Sequence, residues 1–90
     1  MGGEPLCEEN LNITSIVVKE MLREYPTLKI WIWTGYEKEE ILNSSNPSIQ
    51  FLIKHITGLV TGPFIQELRD ITLFMRGSSN QEIIELNKEN

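Results

Sequence analysis

The sequence predicts an α/β fold in which parallel strands alternate with helices. Apolar runs typical of buried strands are separated by stretches with helical periodicity. The run over residues 29–34 is apolar on both alternating faces, which is the pattern of a strand covered on both sides of a parallel sheet. The 90 residues suit one small domain or a piece of one. Two central strands do not make a stable sheet alone, so we expect residues 1–90 to be the C-terminal part of a larger α/β domain.

The first predicted element is a helix over about residues 12–25. Asn10 or Asn12 is the expected N-cap, and Pro26 ends the helix. Apolar residues recur at three- and four-residue steps and form one stripe. The stripe consists of Ile13, Ile16, Val17, Met21, Leu22 and Tyr25.

A strand over residues 29–34 follows, and Gly35 and Tyr36 turn the chain. Residues 37–42 predict a short helix whose first turn is acidic, as the helix dipole favours. Asn46-Pro47 supplies a cap and a first-turn proline for another short helix over residues 48–54.

The second strand is expected over residues 56–61, and Gly62-Pro63-Phe64 ends it. A polar loop over residues 76–81 precedes a final short element around residues 83–86. The chain opens with adjacent glycines directly before a helix, as a loop after a strand would.

Composition excludes several classes of function. Eight basic and 13 acidic residues give a net charge of −5, which disfavours a nucleic-acid partner. No apolar run approaches the roughly 20 residues of a membrane helix, and no secretory signal is visible. Cys7 is the single cysteine, so neither an intrachain disulfide nor a multi-cysteine metal site can form within this chain. We therefore expect a cytoplasmic protein without a membrane partner and with no metal site in this chain.

Four segments carry the chemical signals, and each has a plainer structural interpretation. Gly2-Gly3-Glu4-Pro5 lets the backbone approach a ligand closely, or forms a simple turn. Trp33-Thr34-Gly35-Tyr36 and Gly62-Pro63-Phe64 follow the two strands, at the sheet edge where ligands bind in parallel α/β folds, or serve packing and turns. Residues 76–81 form a dense polar loop, or a solvated turn. We interpret His55 and Cys7 as structural residues.

In this order, the four segments resemble the activating proteins of anaerobic ribonucleoside-triphosphate reductases, a family of radical S-adenosylmethionine (SAM) enzymes. The resemblance covers nearly the whole chain. It implies a partial (β/α) barrel of the radical SAM type, of which this chain is the C-terminal part. It also implies an oxidoreductase that cleaves SAM reductively and generates the glycyl radical on the class III reductase.

The resemblance implies roles for two groups of residues, while the catalytic residues stay unknown. Contacts to SAM are implied for Gly2, Gly3, Glu4, Pro5, Thr34, Gly35, Tyr36 and Gly62. A rim or partner loop is implied for Arg76, Gly77, Ser78, Ser79, Asn80 and Gln81. The implied partners are the reductase and a reductant such as flavodoxin.

The sequence departs from the family pattern at three places. The Cys-x3-Cys-x2-Cys loop that holds a [4Fe–4S] cluster is absent, so we expect the cluster only in the complete protein, and the chain alone to be inactive. Thr61 stands where the family tends to have aspartate before Gly-Pro. Thr57-Gly58 stands where the family more often has an apolar residue and an aspartate, and Gly58 weakens the strand slightly.

Two alternatives stay open. One is a truncated remnant that is catalytically inactive, or a fragment that only binds SAM or a partner. The other is an activase of the pyruvate formate-lyase type, which the 76–81 loop disfavours. We also expect open strand edges and apolar surface to cause poor solubility or a homo-oligomer when the chain is expressed alone.

Overall fold

The structure, a computed structural model, describes residues 4–87 of the chain. Helices and strands alternate through most of it, as the sequence predicts. The elements are α1 (Glu8–Glu24), β1 (Trp31–Trp33), α2 (Lys38–Leu42), α3 (Pro47–His55), β2 (Gly58–Thr61), a 3-10 turn (Gln66–Leu68) and β3 (Glu82–Glu85).

The three strands form one mixed sheet in the order β1-β2-β3. Strand β1 runs parallel to β2, with Trp31 opposite Gly58 and Trp33 opposite Val60. Strand β3 runs antiparallel to β2, with Ile83 opposite Val60. The parallel prediction is therefore confirmed for β1 and β2 and wrong for β3. The partial barrel stays a prediction.

The segment between β2 and β3 explains the reversal. A parallel return requires a crossover connection along the face of the sheet, usually through a helix. Residues 62–81 instead hold only a short 3-10 turn, and the Gln81 side chain donates a 2.9 Å hydrogen bond to the Gly62 carbonyl. The chain is thus held at the C-terminal end of β2 until β3 begins, and β3 can only run back.

Helix α1 buries a different face from the predicted stripe. It begins at Glu8 with Cys7 as the N-cap residue, not Asn10 or Asn12. Its buried residues are Leu11, Ser15 and Val18, which pack toward α3 and the core. The predicted stripe lies largely exposed, with Ile13, Ile16, Val17, Met21 and Tyr25 all at the surface. The polar Ser15 interrupts the true core face, so the outer face is the more apolar of the two.

The caps of the two short helices agree with the sequence. Glu37 and Glu40 form a reciprocal capping box at the start of α2. The Asn46 side chain accepts a 2.8 Å hydrogen bond from the Ser48 amide, and Pro47 occupies the first turn of α3. Both helices are therefore fixed by local chemistry.

The core lies around β2, all four residues of which are buried. It consists of Leu6, Leu11, Val18, Ile32, Ile41, Ile49, Leu52, Ile56 and Leu59. All four residues of β2 are covered, whereas the cover on both faces that is predicted for β1 is incomplete, because Trp33 is 48% exposed. Within residues 4–87, no strand pairs with the outer edge of β1.

Gly58 allows the Trp31 ring and the backbone of β3 to approach β2 closely. A Cβ there would lie 2.4 Å from the Trp31 ring and 2.5 Å from the Ile84 carbonyl oxygen. Only glycine lets the indole cover this part of the strand.

No helix in residues 4–87 combines the length and apolar character needed to cross a membrane.

Candidate functional site

A cleft opens where β1 and β2 end and the segment before α1 meets them. Its volume is about 380 Å³. The lining residues are Glu4, Pro5, Trp33, Thr34, Gly35, Gly62, Phe64 and Gln81. Five of the predicted SAM contacts therefore come together in one place: Glu4, Pro5, Thr34, Gly35 and Gly62. Gly2 and Gly3 lie outside the described residues.

The Glu4 carboxylate ties the segment before α1 to the end of β1. Its Oε2 accepts hydrogen bonds from the Thr34 hydroxyl at 2.6 Å and the Leu6 amide at 3.0 Å. Its Oε1 accepts from the Gly35 amide at 2.6 Å. Each carboxylate oxygen offers about two acceptor sites, so Oε1 keeps one free. Glu4 lines the cleft, and three hydrogen bonds hold its carboxylate in a fixed position there.

Thr34 is the junction of the two strand ends. It is only 3% exposed, and its amide donates to the Val60 carbonyl at 2.9 Å, which extends the β1–β2 pairing. Its hydroxyl oxygen also accepts from the Tyr36 amide at 3.2 Å. The Tyr36 carbonyl in turn accepts from the Gly62 amide at 2.8 Å.

Tyr36 supports the site through its backbone and does not line the cleft. It borders a second cavity of about 290 Å³, which it shares with Leu6, Glu40 and Ile49 among others. The structure therefore separates Tyr36 from the other predicted SAM contacts.

The 76–81 loop forms one wall of the cleft through Gln81, whose side chain is a hub of hydrogen bonds. Gln81 is buried, and its Oε1 accepts from the amides of Gly77 at 2.8 Å and Ser78 at 3.2 Å. Its Nε2 donates to the Gly62 carbonyl. Arg76 closes the loop by donating from Nη1 to the Gln81 carbonyl at 3.1 Å.

Ser78 and Asn80 attach the same loop to the residues after β2. Ser78 is fully buried, and its hydroxyl donates to Asn80 Oδ1 at 2.6 Å and accepts from the Ile65 amide at 3.2 Å. Asn80 Nδ2 donates to the Pro63 carbonyl at 2.8 Å. Ser79 is exposed, but its amide donates to the Leu68 carbonyl at 2.9 Å. The loop is therefore a built wall of the cleft and not a solvated turn.

Two aromatic side chains complete the cleft. Trp33 and Phe64 are 48% and 51% exposed, and they present apolar surface among polar groups. The Trp33 indole N–H donates to the Met75 carbonyl at 2.6 Å. Met75 has a φ of 64°, in the left-handed region. Both aromatics belong to segments that the sequence singles out, but their place at the cleft depends on the loop over residues 65–80.

The described residues do not offer a metal site. No group of three or more His, Cys, Asp or Glu side chains in residues 4–87 is placed to hold an ion. Cys7 is a free, partly buried thiol at the start of α1. The His55 ring lies 4.6 Å from the Phe51 ring.

Comparison of the sequence with known protein families identifies the family of this chain. The family model described as a 4Fe-4S single cluster domain matches residues 1–84. The chain belongs to this family. The family takes its name from a cluster, whereas this sequence has one cysteine, so the match places the chain in the family without placing a cluster in it.

Similar curated proteins narrow the family further. Anaerobic ribonucleoside-triphosphate reductase-activating proteins match 82 residues, or 91% of this chain: at 42% identity in Vibrio cholerae serotype O1, at 38% in Escherichia coli K12 and at 30% in Enterobacteria phage T4. The resemblance stated from the motifs is thus confirmed. The chain spans about half the length of these relatives, at 50%, 51% and 48%. No solved structure matches the chain.

Proposed function

We propose that this chain forms the SAM-binding part of an enzyme that generates the glycyl radical on anaerobic ribonucleotide reductase. The observation that carries the proposal is the cleft, because it gathers five of the residues that the resemblance assigns to SAM. The names of the relatives, as activating proteins of anaerobic ribonucleoside-triphosphate reductase, support this protein target. When bound, SAM would supply the 5′-deoxyadenosyl radical by reductive cleavage.

The size and chemistry of the cleft suit a ligand with both polar and apolar parts. Its volume of about 380 Å³ lies within the range of roughly 300–1,000 Å³ found for small-molecule sites. The exposed faces of Trp33 and Phe64 suit a purine ring, which stacks on aromatic side chains. The free acceptor site on Glu4 Oε1 suits the cationic amino group of the methionine moiety.

In this proposal the protein's own residues position the ligand. Glu4 holds the segment before α1 at the end of β1, and Thr34 fixes the distance between them. Gly62, with a φ of +101°, lets the chain turn sharply after β2, and a side chain there would be strained. Gln81 keeps that turn in place.

The residues present do not fit a [4Fe–4S] cluster. Such a cluster takes several cysteine thiolates, whereas the sequence contains only Cys7. The cysteine ligands of a cluster would therefore come from protein outside this sequence. A second candidate function is a fragment that binds SAM or a partner without catalysis.

Binding of SAM to the 90-residue chain tests the proposal, with isothermal titration calorimetry as the measurement. We expect saturable binding that becomes about tenfold weaker in Phe64→Ala, as loss of an aromatic contact worth about 1.4 kcal/mol requires. Phe74→Ala is the matched control, since Phe74 is exposed and does not line the cleft. Absence of saturable binding, or equal affinity in the two variants, would contradict the proposal.

A cleavage assay separates the two candidate functions. After iron–sulfur reconstitution and addition of a strong reductant, the chain alone should release no 5′-deoxyadenosine. Release that depends on an added cluster-bearing protein supports the activating enzyme. Binding of SAM without release under either condition supports the binding fragment.

A further inference from the structure

The loop between β2 and β3 contacts two walls of the cleft without lining the cleft itself. We name residues 65–80 the connecting loop. The Trp33 indole N–H donates a 2.6 Å hydrogen bond to the Met75 carbonyl. The Phe64 ring lies so close to Gly77 that a Cβ there would be 2.9 Å from it. Trp33 and Phe64 line the cleft, so both aromatic walls are in direct contact with the connecting loop.

Met75 has a backbone conformation that its surroundings must maintain. Its φ of 64° lies in the left-handed region, which is unfavourable for a residue with a Cβ. Such a conformation persists only where neighbouring contacts fix it. The hydrogen bond from Trp33 is a contact of this kind, because it is made to the carbonyl of Met75 itself. Loss of that bond should therefore favour release of the connecting loop.

Hydrogen bonds within the connecting loop join its two arms. The Asp70 amide donates to the Gly77 carbonyl at 3.2 Å, and the Ser79 amide donates to the Leu68 carbonyl at 2.9 Å. Asp70 Oδ1 also accepts from the Thr72 amide at 2.9 Å and the Thr72 hydroxyl at 2.6 Å. Since Met75 lies between the two arms, a loop that is released at Met75 should expose the Asp70 and Ser79 amides together.

We propose that the connecting loop and the cleft are coupled through the Trp33–Met75 hydrogen bond, which sets the orientation of the indole that meets the ligand. This inference rests on the proposed function, in which the ligand is SAM and its purine stacks on the aromatic walls. An indole that is oriented before the ligand arrives loses less entropy on binding. Coupling between two equilibria is reciprocal, so SAM should order the loop as strongly as the ordered loop favours SAM.

Asp70 is then a positioning residue, which acts on the cleft through the connecting loop and does not line the cleft. Asp70→Ala removes two hydrogen bonds inside the loop. Isothermal titration calorimetry should show SAM binding that is about two- to tenfold weaker. Glu67→Ala is the matched control, because it removes the same charge from an exposed position of the same loop, and it should keep its affinity. Asp70 is also exposed, so the fold is expected to be kept, which circular dichroism checks.

Amide hydrogen exchange, followed by NMR, distinguishes this coupling from a general loss of stability. Saturating SAM should slow exchange at the Asp70 and Ser79 amides about two- to tenfold, whereas the Tyr25 amide at the end of α1 should keep its rate. Without ligand, Trp33→Phe should speed exchange at the same two loop amides by a similar factor. Trp31→Phe, the same substitution elsewhere in β1, should leave both rates unchanged.

Three results would overturn the inference. They are equal SAM affinity in Asp70→Ala and Glu67→Ala, loop amides that exchange equally fast with and without bound SAM, and equal loop exchange in Trp33→Phe and Trp31→Phe. Failure of the proposed function looks different. If the unaltered chain does not bind SAM but Trp33→Phe speeds loop exchange, the proposed function is refuted, and the coupling between the loop and the cleft wall stands.

Discussion

The Thr34 hydroxyl donates a 2.6 Å hydrogen bond to Glu4 Oε2, across 30 residues of sequence. This bond joins the segment that precedes α1 to the end of β1. The adjacent Gly35 amide donates a second hydrogen bond to the same carboxylate, at Oε1. The position of the α1 start relative to the sheet therefore depends on one carboxylate.

Glu4→Gln should destabilise the chain by about 1–3 kcal/mol. In either orientation the new NH2 group faces a backbone N–H, that of Gly35 or that of Leu6, so a donor is left without an acceptor. Urea unfolding followed by circular dichroism measures the change. Glu9→Gln, at an exposed position of α1, is the control and should change stability by less than about 0.5 kcal/mol. Equal midpoints for the two variants would show that the carboxylate does not brace the site.

Gln81→Leu should cost at least about 2 kcal/mol, since it leaves two amides and one carbonyl near the cleft without partners. Local opening should appear first, as faster hydrogen exchange at the Gly77 and Ser78 amides. Gln66→Leu in the exposed 3-10 turn provides the comparison. Unchanged exchange at both amides in Gln81→Leu would contradict the hub role of this side chain.

Gly58→Ala should lower the melting temperature strongly, because its Cβ would overlap the Trp31 ring and the Ile84 carbonyl. Overpacking of this kind costs about 1–3 kcal/mol, and each kcal/mol corresponds to about 4–8 °C in a domain of this size. Gly35→Ala is a matched control, since its Cβ meets only Glu4 Oε1, at 3.4 Å. The explanation is wrong if the two alanine variants have the same melting temperature.

The pKa of Asp70 should lie below its ordinary value of 3.8, because the Thr72 hydroxyl and then the Thr72 amide donate to the carboxylate. A lowered pKa in the folded state means that ionised Asp70 stabilises the loop above pH 3.8, and that this contribution is lost as the pH falls through the folded pKa. Carboxyl-carbon NMR titration measures it. Thr72→Val should move the pKa of Asp70 upward, whereas Thr27→Val should not. A pKa of 3.8 or above in the unaltered chain would remove the basis of this prediction.

Local chemistry made much of the fold predictable. The Asn46 cap, the Pro47 first turn and the acidic start of α2 are short-range signals, and the structure has all three. All four residues of β2 are buried, although only Leu59 and Val60 in it are large apolar residues. The outward face of α1 could not be predicted, since Ser15 interrupts the core stripe while Ile13 and its neighbours form a cleaner one at the surface.

The site was predictable as a set of strand ends but not as a set of contacts. Thr34, Gly35 and Gly62 follow from the rule that parallel strands present ligand sites at their carboxyl ends. The antiparallel return of β3, and with it the Gln81 wall, depends on hydrogen bonds between residues about 20 apart, which no local pattern reveals. Trp33 and Phe64 likewise join the site only because the loop folds against them.

Trp33 gives the molecule an optical property of its own. The chain has two tryptophans, and the Trp31 indole lies over Gly58 within the sheet, whereas the Trp33 indole stands at the cleft with its N–H fixed on Met75. Fluorescence from Trp33 will therefore respond to whatever enters the cleft and to any loosening of the loop that holds its N–H. Replacing Trp31 with phenylalanine would leave Trp33 as the single tryptophan, so that selective excitation of tryptophan could follow occupancy of the cleft in real time without a label.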